Sequence, residues 1–198
     1  MDKTRANLRV WRLLVITVAA VIAVGALTVR LQQSLFWRAH HAGFGTDLHG
    51  AALAGANLAG AMLVGVNLAG ANLRGADLEG RLVGADLGRA DLTQANLRGA
   101  RLQAANLRDA NFQGSMLSGG NLTVAELPHT NLAGADLRGA DLRKAELLAT
   151  NLAHSDLRGV NLTGARLSLV DFTGACYDRL TRWPRGFDPR KHGAHRVH

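Results

Sequence analysis

Three kinds of side chain in this sequence carry groups able to do chemistry. Arg98, Arg138 and Arg158 each stand between a leucine and a glycine, spaced by forty and then twenty residues. The fixed donor fork of a guanidinium matches carboxylates and phosphates, so such a set points to binding an anionic partner or lipid headgroup rather than to catalysis. His192, His195 and His198 recur every three residues, and three neutral imidazoles can share Zn2+, Ni2+ or Cu2+. No rigid frame or supporting carboxylate surrounds them, which favours an incidental tail and no metal site. His129 and His154 are isolated and expected to face solvent. Cys176 is the only cysteine, so no intrachain disulfide forms. It could join two chains in an oxidising compartment, although a small residue in a fading repeat is the plainer account. Serines and threonines lack His and Asp partners in a convincing arrangement, and no Gly-rich phosphate loop opens a helix. Catalysis needs convergent groups in a concave site, so the expectation is a protein without enzymatic activity or cofactor.

The element that positions these groups follows from a leucine at every fifth residue. The series runs from Leu48 to Leu78, takes one step of four to Leu82, and continues to Phe172, with Phe112 also replacing leucine. The 26 repeats cover residues 46–174. The residue two before each centre is small, and the residue just before it is Asn or Asp in 18 of the 26. In a helix, five residues advance about 500°, so the leucines would spiral around the rod. In a flat strand an odd step sends them to opposite faces. A chain that turns a corner every five residues puts every centre on one axis. The small residues then fill the space between the centres, and the Asx side chains point outward to bond the turn backbone. Such a solenoid needs only contacts between neighbouring coils.

Runs such as Ala71-Asn72-Leu73-Arg74-Gly75 and Ala135-Asp136-Leu137-Arg138-Gly139 resemble the pentapeptide repeat family, whose motif is A(D/N)LXX. The resemblance covers about two thirds of the chain. It implies an all-β fold, a right-handed quadrilateral β-helix with four repeats per coil. Gly99, Gly119, Gly139 and Gly159 agree with that coil, being spaced by 20. Leu97, Phe112, Leu132, Leu152 and Phe172 are then core residues. Arg98, Ser118, Arg138 and Arg158 stack as a stripe, which Asp136 and Asp156 could neutralise across coils. The rod would be roughly 30 Å long at the usual strand spacing. The four-residue step is expected to be a bulge at a corner, with a functional kink as the alternative.

Both ends depart from the repeat. Residues 1–12 are basic, and residues 13–30 form an expected N-terminal α-helix, of which 13–29 are uncharged. Seventeen residues of helix span about 25 Å, at the short end of a bilayer crossing. A single-pass anchor is favoured over a cleaved signal peptide or a capping helix. The excess of Lys3, Arg5, Arg9 and Arg12 over Arg30 and Arg38 puts the N-terminus in the cytoplasm and the rod outside it. If the segment is cleaved, the rod is secreted or periplasmic. Residues 31–45, with Phe36, Trp37 and Phe44, would cover the first coil. Residues 175–189 hold Pro184, Gly186 and Pro189, which forbid another coil; Trp183 and Phe187 would cap the last leucines. Residues 190–198 are expected to be a disordered basic tail.

The net charge of +8 lies at the ends. Residues 1–45 carry +5, residues 175–198 carry +4, and the repeats carry −1. A duplex-binding surface needs clustered Lys and Arg along it, so nucleic acid is not an expected partner. Some members of the resembled family imitate DNA and inhibit gyrase, an activity that needs an acidic cytoplasmic rod. The leading expectation is a membrane-anchored scaffold or protein-interaction surface. The alternatives are a DNA-mimic regulator of gyrase and a component of an envelope or transport assembly. A homodimer through one flat face or the C-terminal end stays open.

Overall fold

A corner every five residues closes one coil every four repeats, and backbone bridges record it. In a computed structural model that describes residues 47–198, Asp47 pairs in parallel with Asn67, Asn111 with Asn131, and Asp141 with Asn161. The expected helix at 13–30 and the cover at 31–45 lie outside the described residues. Among the described residues no helix is long and apolar enough to cross a membrane.

Each repeat uses its five positions differently. The centre faces inward: Leu97, Phe112, Leu132, Leu152 and Phe172 are at most 1% exposed. Each such burial contributes about 1.5–3 kcal/mol. Alanines two before the centre, such as Ala95, Ala110 and Ala135, are equally buried. The Asx side chain accepts the backbone N–H two residues on, as Asn106 does from Arg108 at 3.1 Å and Asn151 from Ala153 at 2.9 Å. Some Asx side chains also reach the coil below: the Asn131 amide donates to the Asn111 Oδ1 at 3.0 Å. The residue two after the centre takes the left-handed conformation, with φ of 62° at Gly99 and 59° at Val124.

The four-residue step removes one such left-handed residue. Bridges that span 20 positions through the other repeats up to Asp156 span 19 around it, as in Met62 to Arg81 and Asp77 to Asn96. The ladder is unbroken there, because Arg81 N–H still donates to Ala61 O at 3.0 Å and Leu63 N–H to Arg81 O at 2.7 Å. The corner is cut short at Gly80, where a Cβ would lie 2.6 Å from the Ala61 carbonyl oxygen. Glycine alone lets the shortened corner pass.

Among the described residues, strands longer than a single bridge form only late in the chain. β1 (Glu146–Leu148) pairs in parallel with β2 (Arg166–Ser168). β3 (Cys176–Tyr177) pairs in parallel with β4 (His195–Arg196). A 3-10 helix, Pro189–His192, precedes β4; Asp188 caps its start and Gly193, at φ 88°, ends it. The free tail expected at 190–198 is therefore corrected. Ala194 is 5% exposed and His195 N–H donates to Ala175 O at 2.9 Å, so these residues continue one face of the ladder.

Candidate interaction surface

The arginine stripe is aligned but not uniform. Gly99 N–H donates to Ser118 O, Gly119 N–H to Arg138 O and Gly139 N–H to Arg158 O, at 2.8–2.9 Å, which stacks the four side chains in one column. Arg138 grips Asp136 through Nε at 2.8 Å and Nη2 at 2.7 Å. Arg158 holds Asp156 in the same bidentate manner, and Arg143 holds Asp141 on the next face. The expected neutralisation by Asp136 and Asp156 occurs mainly within one repeat; in the stripe, Arg138 to Asp156, at 3.8 Å, also crosses between coils. The geometry follows from the repeat itself. The Asx position and the residue after the centre are two apart and both point outward, so a long guanidinium folds back onto the short carboxylate. Hydrogen bonding from Arg138 holds the Asp136 carboxyl below its ordinary value against the opposing effect of burial. At Asp156 burial pushes upward, but the Arg158 bonds prevail and the carboxyl is lowered.

Arg98 forms no ion pair among the described residues, so it is the one cation of the stripe left for an external anion. On the next face Arg81 and Arg101 occupy the Asx position and pair in the ladder, with Arg81 Nη1 3.6 Å from the Met62 sulfur. The signal for this second pair was available in the sequence, as two arginines twenty apart where Asx is the rule. Val64 and Val124 on that face are each 56% exposed. The bidentate pairs within one repeat thus lie in the C-terminal coils, whereas nearer the N-terminus Arg74–Asp91 and Arg89–Asp109 pair across coils and Arg81, Arg98 and Arg101 form no ion pair among the described residues.

At the C-terminal end Trp183 and Phe187 pack on the last core phenylalanine. Phe172 lies 5.5 Å from each ring, Tyr177 5.5 Å from Trp183, and Phe187 stacks on His192 at 4.6 Å. That stacking engages His192, while His195 sits in β4. Cys176 is half-buried in β3, and burial beside Asp156 pushes its thiol up, away from the reactive thiolate. An open depression here is lined by Tyr177, Arg179, Trp183, Asp188, Arg190 and Arg196, among others. Its carboxylates are engaged internally: Asp178 accepts from Gly159, Leu180 and Thr181 N–H, and Asp188 from Arg190.

The pentapeptide repeats family model matches eight copies, within residues 44–80 and 85–176. The solved structure of HetL, a pentapeptide repeat protein involved in heterocyst differentiation regulation from the cyanobacterium Nostoc, is 31% identical; the match covers 71% of this chain and 78% of HetL, with a TM-score of 0.40. Rfr23 from the cyanobacterium Cyanothece is 34% identical over 52% of this chain and 63% of its own, with a TM-score of 0.28. Full-length QnrB1, a plasmid-mediated fluoroquinolone resistance protein, is 20% identical over 67% of this chain and 80% of its own, with a TM-score of 0.24. A comparison with curated proteins gives no match. The repeat geometry and the family model agree: the chain belongs to the pentapeptide repeat family.

Proposed function

We propose that this protein is a non-enzymatic interaction scaffold, tethered to a membrane through residues 13–30 and displaying its β-helix on the extracytoplasmic side. The observation that carries the scaffold role is the division of labour within each repeat. The centre and the small residue two before it pack inward, as Leu137 and Ala135 do at no more than 1% exposure, so only outward side chains meet a partner. Among the described residues the core is filled mainly by leucine and alanine, which favours a role without a concave catalytic site. The repeats carry a net charge of −1, and Asp136, Asp141 and Asp156 are each held by an arginine. Those pairs leave little of the continuous anionic face that DNA mimicry requires, which favours the scaffold over a gyrase regulator.

The tether rests on the uncharged run at 13–29 and the basic excess before it. The test is site-directed labelling in intact cells. Leu180, 64% exposed, is replaced by Cys in a Cys176→Ala background and treated with a membrane-impermeant maleimide. Labelling without lysis, in a protein that sediments with membranes, is expected. Labelling only after lysis would place the rod in the cytoplasm and overturn the topology.

A further inference from the structure

The last coil ends differently on its four faces. On two of them the chain supplies the next layer itself: Leu162 N–H donates to Arg182 O at 2.7 Å, and Val197 N–H to Tyr177 O at 2.8 Å. A third is roofed by the Phe172, Trp183 and Phe187 rings, and Gly174 N–H meets Gly193 O at 3.0 Å. The fourth carries β2, and among the described residues no backbone segment pairs over it. Arg166 N–H and Ser168 C=O bond backward to Ala145 and Ala149. Forward, the N–H groups of Leu167 and Leu169 and the carbonyl of Ala165 have no partner among the described residues. Leu169 beside them is 83% exposed. Unpaired strand edges with apolar side chains are templates for strand addition.

We propose that β2 receives an extended segment of another protein, added as a parallel strand with a small–acidic–apolar triad. The preceding coils define the fit. Ala145, Glu146 and Leu147 lie on Ala125, Glu126 and Leu127, and the N–H groups of Glu146 and His129 donate to the Ala125 and Leu148 carbonyls respectively. The same register over β2 puts a small residue above Ala165 and an apolar one above half-buried Leu167. It also puts the middle residue above Arg166, whose side chain is 77% exposed and, among the described residues, pairs only with Glu146, at 3.7 Å. A carboxylate there completes the pair. β4 shows that this layer accepts a short strand, since His195–Arg196 lies on Cys176–Tyr177 in the same parallel manner. A second rod fits less well than a single strand, because the cap already stands one layer beyond β2 on the neighbouring faces.

The test uses full-length protein in detergent micelles and a fluorescein-labelled peptide with the sequence of residues 143–150, read by anisotropy. Saturable binding is expected. N-methylation of the peptide's Glu nitrogen removes the bond to the Ala165 carbonyl and should weaken binding at least tenfold. Arg166→Glu, on an exposed side chain, should invert the preference between this peptide and its Glu-to-Lys version. Absence of saturable binding, equal affinity for the N-methylated peptide, or an unchanged Glu-over-Lys preference in Arg166→Glu would each overturn the proposal. So would peptide exclusion by a concentration-dependent dimer, which makes a second copy the occupant. The outcome is separate from membrane topology, because the peptide is added to purified protein.

Discussion

At the scale of single residues, two positions work against the repeat they sit in. Ser115 is 1% exposed and its hydroxyl has no hydrogen-bond partner among the described residues, whereas Ser155, forty residues later in the same column, donates to the Leu152 carbonyl at 2.7 Å. Its column otherwise holds buried alanines such as Ala95 and Ala135. Ser115→Ala should therefore stabilise the protein by about 1 kcal/mol, by removing an unsatisfied buried hydroxyl without leaving a void. Urea unfolding at equilibrium checks it; a loss of stability would mean that the hydroxyl bonds a buried water. Val124 holds φ at 59°, a conformation that costs an L-residue about 1–2 kcal/mol and a β-branched one most of all. Glycine removes that strain and returns about 0.5–1 kcal/mol of unfolded-state entropy. The net expectation for Val124→Gly is a gain of about 0.5–1 kcal/mol in the same assay. The left-handed position was legible only as an excess of glycine; that Arg89, Gln94 and Leu169 share it follows from the coil closing regardless of side chain.

At the scale of elements, the shortened corner and the C-terminal cap show where the sequence speaks and where it falls silent. The skipped residue between Leu78 and Leu82 is visible at once, but its consequence lies in the backbone. The corner passes so close to Ala61 that residue 80 tolerates no side chain. Gly80→Ala should cost about 1–3 kcal/mol, as overpacking a rigid site does, while the midpoint falls without loss of cooperativity. A neutral substitution would show that the corner relaxes freely. The cap was legible through Trp183 and Phe187 because prolines and aromatics stand where leucines stop. The tail was not legible, since His, Arg and Lys around Ala194 and Val197 carry no apolar period. Its order comes from backbone bonds to Ala175 and Tyr177 and from a ring stack between His192 and Phe187, none of which needs a hydrophobic pattern. The arginine stripe fell between these cases. The twenty-residue spacing revealed the column, but the preference of each arginine for the aspartate of its own repeat depends on side-chain reach.

At the scale of the whole molecule, the arginine–aspartate pairs tie stability to pH. The carboxyls of Asp136 and Asp141 are held low by Arg138 and Arg143. A lowered folded-state value means that the native state keeps its negative charge when the unfolded chain has begun to protonate. The stabilisation is complete above the ordinary carboxylate value near ~4 and is lost as pH falls through the lowered native one. Melting temperature should thus drop steeply below about pH 4. Asp136→Asn keeps an acceptor for the turn, as Asn131 and Asn151 do, but not the ion pair, so its acid slope should be shallower. Parallel acid melts of both proteins check the sign; superimposable slopes would leave the pairs without a role. The fold predicts one further asymmetry across the rod. Inward columns carry the packing and outward columns face solvent, so the same substitution should have different consequences one coil apart. Urea unfolding of Leu132→Asp beside Gln113→Asp measures this directly. Leu132 is 1% exposed at the centre of a repeat, whereas Gln113 points outward from the coil before it. The expected result is loss of the cooperative transition in Leu132→Asp, where a carboxylate enters a dry core, and a transition near wild type in Gln113→Asp. A soluble Leu132→Asp protein that unfolds cooperatively near the wild-type midpoint would contradict the register on which every functional assignment stands.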